Sequence, residues 1–263
     1  MFPYFTFLGQ IYYLYALLGL LALFVASGVA YIRAQKVGLG YFDMLMCIVF
    51  LSAGLTIGGS ILHALVNIPV LWSNQVYFFD APFLFLRLAF GGLVFYGGLI
   101  GALIAMPLYA KYIKVGLSTL IVLIIPVFPL AHGIMRVGCF MAGCCYGIEH
   151  EQLGIAFTRS LSAPNDINLL PVQLIEVVAN FLIFVALWQY TKKPRQPLYV
   201  LCFYGLSYAA IRFMLEFLRG DDVRGYIFLF STSQFISVFL VIFCIGALIY
   251  EKYSLKKITP PPV

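Results

Sequence analysis

Of 263 residues, 63% are hydrophobic and only 10% charged, and the mean hydropathy is +1.01. A water-soluble domain carries about 25% charged residues and could not hide this much apolar surface in one core, which excludes a soluble globular fold and makes the bilayer the solvent. The net charge of +6 comes from basic residues scattered among short loops, so it is no footprint of nucleic-acid binding.

A membrane-crossing helix needs about 20 apolar residues. Apolar runs between polar breaks predict an all-α, polytopic membrane protein forming a single domain over 1–263. About seven transmembrane helices are expected, at 11–32, 44–71, 88–110, 116–141, 171–191, 197–218 and 229–250. The first run is too long for the apolar core of a cleaved signal peptide, and no basic residue precedes it. With seven spans, one side of the membrane holds ten basic residues (Arg33, Lys36, Lys111, Lys114, Lys192, Lys193, Arg195, Lys252, Lys256 and Lys257). The other holds four (Arg87, Arg159, Arg219 and Arg224). The positive-inside rule then places the amino terminus and the 142–170 loop outside, and the carboxyl terminus in the cytoplasm.

Small residues let helices approach closely in a bilayer, and the third span carries Tyr96-Gly97-Gly98 and Gly101 behind Gly91-Gly92. Helix packing is one reading of these glycines and a functional motif the other. The fourth span ends with His132 and Arg136, four residues apart, and runs into Gly138, Cys139, Cys144, Cys145 and Gly147. The fifth opens on Pro171, which suits a first helical turn, followed by Gln173 and Glu176 on one face as candidate partners for arginines. In the sixth, Tyr208, Arg212 and Glu216 recur every four residues and form one polar stripe that Arg219 continues.

An ionisable side chain within the hydrocarbon costs roughly 2.5–3.5 kcal/mol on insertion scales and points to function. Guanidinium forks bind phosphate or carboxylate in bidentate fashion and never lose their charge, and a phospholipid headgroup is the abundant phosphate at that depth. Arg136 and Arg212 are therefore expected to converge on one phosphate-sized site. Arg219 would compete for Glu216 and leave the stripe with excess positive charge. The alternative is an Arg212–Glu216 pair that only neutralises itself.

Six cysteines do not make a secreted disulfide framework, and Cys47, Cys202 and Cys244 read as small apolar residues in helices. Cys139, Cys144 and Cys145 leave several readings open: packing, a disulfide or redox pair, a metal site, or direct catalysis. Cys139 and Cys144 can share a ligand only if the segment bends, and His150 is the sole histidine in the loop to complete a metal site. No metal and no organic cofactor is expected.

These residues resemble the prolipoprotein diacylglyceryl transferase family over almost the whole chain and in order. Residues 95–101, Phe-Tyr-Gly-Gly-Leu-Ile-Gly, are similar to its F-H-G-G-L-I-G motif. Residues 136–147 resemble its signature R-I-G-N-F-x-N-x-E-x-x-G, and Pro171 to Glu176 its P-x-Q-L-Y-E segment. Residues 208–222 resemble Y-x-x-x-R-F-x-x-E-F-x-R-x-x-D, and Ser231 to Gln234 the S-x-G-Q opening of the last helix.

The resemblance implies transfer of diacylglycerol from phosphatidylglycerol to the lipobox cysteine of a prolipoprotein signal peptide. This would occur among membrane lipids at the outer face of the bacterial plasma membrane, releasing glycerol phosphate. It assigns catalytic roles to Arg136, Arg212, Tyr96, Tyr208 and Glu216. It assigns substrate binding to Arg136, Arg212, Arg219, Gly97, Gly98, Gly138, Cys139, Gly147, Gln173 and Tyr12. The chain departs from the family at Tyr96, where a histidine is the candidate base, and at Cys139, Ala142 and Cys144, where two asparagines and a glutamate stand. Tyrosine, with a pKa near 10, is a poor base at neutral pH. Tyr96 is thus expected to donate a hydrogen bond, and the cysteines to be accessory. The alternatives are a related lipid transferase with another acceptor, or a non-catalytic lipid-binding protein of the same fold.

Overall fold

The structure is a computed structural model that describes residues 3–75, 77–92, 94–221, 226–227 and 230–258. Among them, six helices are long and apolar enough to cross a membrane: Leu14–Val37, Tyr41–Val66, Leu117–Ala142, Val172–Tyr190, Pro197–Glu216 and Thr232–Ser254. A further apolar helix of 18 residues, Phe95–Tyr112, occupies the predicted third span. The protein is an all-α polytopic membrane protein, and among the described residues its strands are two to four residues long and lie outside the helices. Its backbone packs as two units, residues 1–30 with 121–263, and residues 31–120.

The first unit opens on a hairpin of β1 (Tyr4–Phe7) and β2 (Gln10–Tyr13), not on helix from residue 11. Leu8 and Gly9 both have positive φ (49° and 76°), the backbone of the two-residue turn whose twist matches paired strands. Helix α1 (Leu14–Ala34) follows.

The second unit is built on α2 (Tyr41–Val66), started by Asp43, whose carboxylate accepts the Gly40 N–H at 2.7 Å. Pro69 cannot donate to a continuing helix, so α2 stops short of the predicted residue 71 and α3 (Ile68–Ser73) starts anew. After α4 (Tyr77–Asp80), the predicted third span is broken into α5 (Pro82–Phe90) and α6 (Phe95–Tyr112) by Gly91-Gly92. A side chain on Gly92 would collide with the His63 ring. Gly54 and Gly58 of α2 face Gly97 and Gly101 of α6, and a Cβ on any of the four would strike the opposite backbone. Both helices therefore carry glycines four apart, the pattern that brings membrane helices into contact. Gly98 is buried on the same helix against Leu55.

Pro126 divides the fourth span into α7 (Leu117–Ile124), a turn of 3-10 helix and α8 (Phe128–Ala142). The loop after it carries β3 (Ile155–Ala156) paired with β4 (Asn168–Leu169) and is anchored by the fully buried Phe157. In the first unit, α8 packs on α9 (Val172–Tyr190), and α10 (Pro197–Glu216) packs on both α9 and α11 (Thr232–Ile258). Between α10 and α11 lie β5 (Tyr226–Ile227) and β6 (Phe230–Ser231). Ile183, Leu187 and Val200 form one apolar cluster of this unit, and Leu170, Val172 and Leu215 another.

Candidate active site

The polar site is assembled where α8, α9 and α10 meet in the first unit. Its hub is Glu176, a carboxylate on α9 with only 1% of its surface exposed. Its Oε1 lies 3.0 Å from Arg136 Nη2, accepts the Tyr208 hydroxyl at 3.3 Å and stands 3.7 Å from His132 Nε2. Three helices are thereby tied to one oxygen. The spacing explains the convergence: His132 and Arg136 are one turn apart on α8, and the His132 ring rests 5.2 Å from that of Tyr208.

One turn beyond Tyr208 on α10, Arg212 Nη2 pairs with Glu216 Oε2 at 2.7 Å and donates to Ser233 Oγ at 2.9 Å. Ser233 is delivered by the start of α11, which is a capping box. The Ser231 hydroxyl accepts the Gln234 N–H at 3.2 Å, and Gln234 Oε1 accepts the Ser231 N–H at 3.0 Å. The Ser231–Gln234 motif thus presents an arginine partner as well as starting a helix.

Arg219 binds Asp221 through two parallel bonds, Nε to Oδ1 at 2.8 Å and Nη2 to Oδ2 at 2.6 Å. Burial works to lower its pKa, but hydrogen bonding to Asp221 and the nearby Cys145 sulfur outweigh it and raise the pKa. These pairings correct two expectations. Arg136 and Arg212 face separate acidic partners, not one shared phosphate-sized site. Arg219 does not compete for Glu216, and among the described residues three arginines stand beside three carboxylates, without the expected excess of positive charge. Asp222, the last position of the family run, lies outside the described residues.

The cysteine segment bends sharply at the end of α8. Gly143 adopts φ +72°, the Cys144 N–H bonds the Cys139 carbonyl at 3.1 Å, and the Gly143 N–H bonds that of Phe140 at 3.2 Å. This left-handed helix end folds Cys144 back over Cys139. Cys145 continues the reversal with φ +62°, and the three sulfurs lie within 4.8 Å of one another. Hydrogen bonds from Cys139 and Cys144, helped by the Arg219 charge, hold the Cys145 thiol well below its ordinary pKa. Hydrogen bonding within the same trio, together with burial, pushes Cys144 up. Arg136 Nη1 approaches Cys139 Sγ at 4.0 Å, which joins the thiols to the arginine–carboxylate network.

The remaining predicted residues fall in several places. Gln173 does not reach an arginine; it donates to the Cys144 carbonyl at 2.8 Å and fixes the bent segment. Gly138 lets α8 approach Tyr15, whose ring carbon a Cβ would meet at 3.0 Å. Gly147 is wedged between Leu170 and Val172, and its N–H bonds the Leu170 carbonyl at 3.0 Å. Gly97 and Gly98 lie in the second unit, buried against α2, and the side chain of Tyr96 lies outside the described residues. Tyr12 sits on the hairpin, 41% exposed and stacked on Phe5.

Sequence reasoning did not place Glu176, Ser233 and Asp221 among the principal site residues. For the first, the sequence did offer a glutamate sharing a helix face with Gln173 as a candidate partner for an arginine, and Arg136 takes it. Arg136 Nε, His132 Nδ1 and Gln173 Oε1 are among the buried side-chain atoms that have no hydrogen-bond partner among the described residues. Unmatched polar atoms at such depth are costly unless a ligand uses them. An arginine N–H of this kind can donate to an anionic oxygen while Glu176 holds the rest of the guanidinium.

The family model described as prolipoprotein diacylglyceryl transferase matches residues 3–250. The chain is 36% identical over 214 residues to the phosphatidylglycerol–prolipoprotein diacylglyceryl transferase of Clostridium tetani, covering 81% of each chain. It is 35% identical over 201 residues to transferase 2 of that name from Clostridium perfringens, covering 76% of this chain and 75% of the relative. It is 32% identical over 212 residues to a transferase of that name from Francisella tularensis, covering 79% and 75%. With the match running nearly end to end, the chain belongs to the prolipoprotein diacylglyceryl transferase family.

Proposed function

We propose that the protein transfers the diacylglyceryl group of phosphatidylglycerol to the thiol of a lipobox cysteine in a prolipoprotein signal peptide. The thiolate sulfur attacks the glyceryl carbon, a carbon–sulfur bond forms, and the carbon–oxygen bond to phosphate breaks. Glycerol phosphate leaves with the electron pair and the thiol proton passes to solvent. The observation that carries the reading is the Arg136–Glu176 pair: a buried guanidinium held at 3.0 Å while its Nε has no protein partner among the described residues. Such a preorganised donor stabilises charge developing on a departing phosphate. Arg212, held by Glu216 and Ser233, supplies a second positive charge next to Tyr208 on the same helix. In this reading Tyr96 donates a hydrogen bond to the substrate and is not the base.

The ten-to-four distribution of basic residues supports a plasma-membrane orientation with the amino terminus outside and the carboxyl terminus in the cytoplasm. A second reading, a paralogous transferase using the same lipid but another acceptor, is favoured by one observation: sulfur occupies the signature positions Cys139 and Cys144. Transfer of labelled diacylglycerol from phosphatidylglycerol to a lipobox peptide by the purified protein tests the first reading. Absence of transfer beside an active control transferase favours the second.

A further inference from the structure

The sulfurs of Cys139, Cys144 and Cys145 lie within 4.8 Å of one another, although the first is five positions from the second along the chain. Three thiolates around one zinc ion, each at about 2.3 Å, stand roughly 3.8 Å apart in tetrahedral geometry. The observed spacing reaches that arrangement by a contraction of up to about 1 Å. The cluster is built by the backbone: the left-handed turn at Gly143, the positive φ of Cys145, and the Gln173 amide bonded to the Cys144 carbonyl at 2.8 Å. None of the three is in a disulfide, and Cys144 and Cys145 are half-buried and therefore reachable. A non-glycine residue in the left-handed region is uncommon, and here it turns a thiol toward two others. The loop histidine weighed as a further ligand, His150, is not part of the cluster, and its Nδ1 accepts the Leu153 N–H at 3.1 Å.

We propose that Cys139, Cys144 and Cys145 bind a zinc-class divalent ion through three thiolates, and that its open fourth position takes the acceptor thiol. Zinc sites with four protein ligands are structural, whereas catalytic ones keep three and leave one position for water or substrate. A thiol that coordinates such an ion is deprotonated outright, which performs the task that Tyr96 is unsuited to. The proposal rests on the transfer reading for the identity of the fourth ligand. Its steps balance. The acceptor S–H binds the ion and loses its proton to solvent, and the metal-held sulfur then uses an electron pair to form the bond to the glyceryl carbon. The carbon–oxygen electrons leave with glycerol phosphate, and the thioether product, a weaker ligand than a thiolate, dissociates. Cys139 Sγ lies 4.0 Å from Arg136 Nη1, so a sulfur held at this cluster is beside the guanidinium assigned to the phosphate. This role replaces the accessory one expected of the cysteines from the sequence.

The test uses the full-length protein in detergent, kept reduced, stripped with a chelator and titrated with cobalt(II). The proposal expects thiolate-to-cobalt charge-transfer bands that saturate at a single equivalent and are displaced by zinc. Cys139→Ser, Cys144→Ser and Cys145→Ser should each weaken binding by more than the roughly 10–100-fold that loss of an outer-sphere partner costs. A lipobox peptide should shift the visible bands, and its Cys→Ser counterpart should not. Absence of charge-transfer bands in the reduced wild type overturns the site, whether or not any variant folds. Bands that ignore the peptide, or undiminished transfer by the stripped protein, overturn the role of the fourth position. Bands that shift with peptide while the wild type shows no transfer of lipid would retain the metal site and remove the transfer reading.

Discussion

Arg136 and Glu176 meet across α8 and α9 at 3.0 Å, and the same carboxylate oxygen accepts the Tyr208 hydroxyl from α10. One buried anion therefore fixes the guanidinium proposed to meet the departing phosphate. Removing one partner of a buried pair leaves the other uncompensated, at a cost of about 3–5 kcal/mol. Glu176→Ala should lower thermal stability in detergent and abolish transfer. Glu176→Gln keeps the shape and one acceptor oxygen, so it should fold but transfer at a small fraction of the wild-type rate. A Glu176→Gln protein with full activity would show that the charge at this position is dispensable.

Arg212 is held from two sides, by Glu216 on its own helix and by Ser233 at the start of α11. Losing a preorganised donor to a developing oxyanion costs about 10²–10³-fold in rate. Arg212→Ala should fall by at least that much. Ser233→Ala removes one hydrogen bond, worth about 1.5–3 kcal/mol when charge-assisted, and should reduce kcat more modestly. Steady-state kinetics on both variants check the order, and an Arg212→Ala enzyme no slower than Ser233→Ala contradicts it.

Gly143 should tolerate no side chain. Its φ of +72° disfavours any L-residue by about 1–2 kcal/mol, and a Cβ there would collide with the Ser160 hydroxyl. Gly143→Ala should lower the unfolding temperature and separate Cys144 from Cys139. Loss of cobalt binding in parallel with the thermal shift is the expected pairing. An unchanged melting curve would mean the turn relaxes at no cost.

A periplasm-active reporter fused after Val263 should remain inactive, and a cytoplasm-active one should work. The ten-to-four basic asymmetry is the ground for this orientation. The reverse pattern of reporter activity would invert every loop.

The membrane character, most of the helices and the stripe of Tyr208, Arg212 and Glu216 were legible in the sequence, because hydropathy and a four-residue spacing are local properties. The glycine seam of α2 and α6 was half legible: Gly97 and Gly101 stood out, but their partners Gly54 and Gly58 lie far off along the chain. What spacing could not supply was partner choice. Arg219 lies three residues from Glu216, yet the chain turns after α10 and gives it Asp221 instead. Glu176 was expected from its place early in the fifth span as a partner for an arginine, and it does pair with Arg136, but its role in joining three helices at one oxygen depends on how α8, α9 and α10 pack together. The sequence allowed Cys139 and Cys144 to share a ligand only if the segment bends, and the left-handed Gly143 supplies that bend. The hairpin at Tyr4–Tyr13 was not expected, because most of its second strand falls inside the first apolar run, read from residue 11.

The most direct test is transfer of labelled diacylglycerol from phosphatidylglycerol to a lipobox peptide by the purified wild type, with Arg136→Ala beside it. The account predicts a thioether-linked labelled peptide and released glycerol phosphate from the wild type, and loss of at least about 10²-fold in the variant. An Arg136→Ala protein that folds and transfers at the wild-type rate would contradict it.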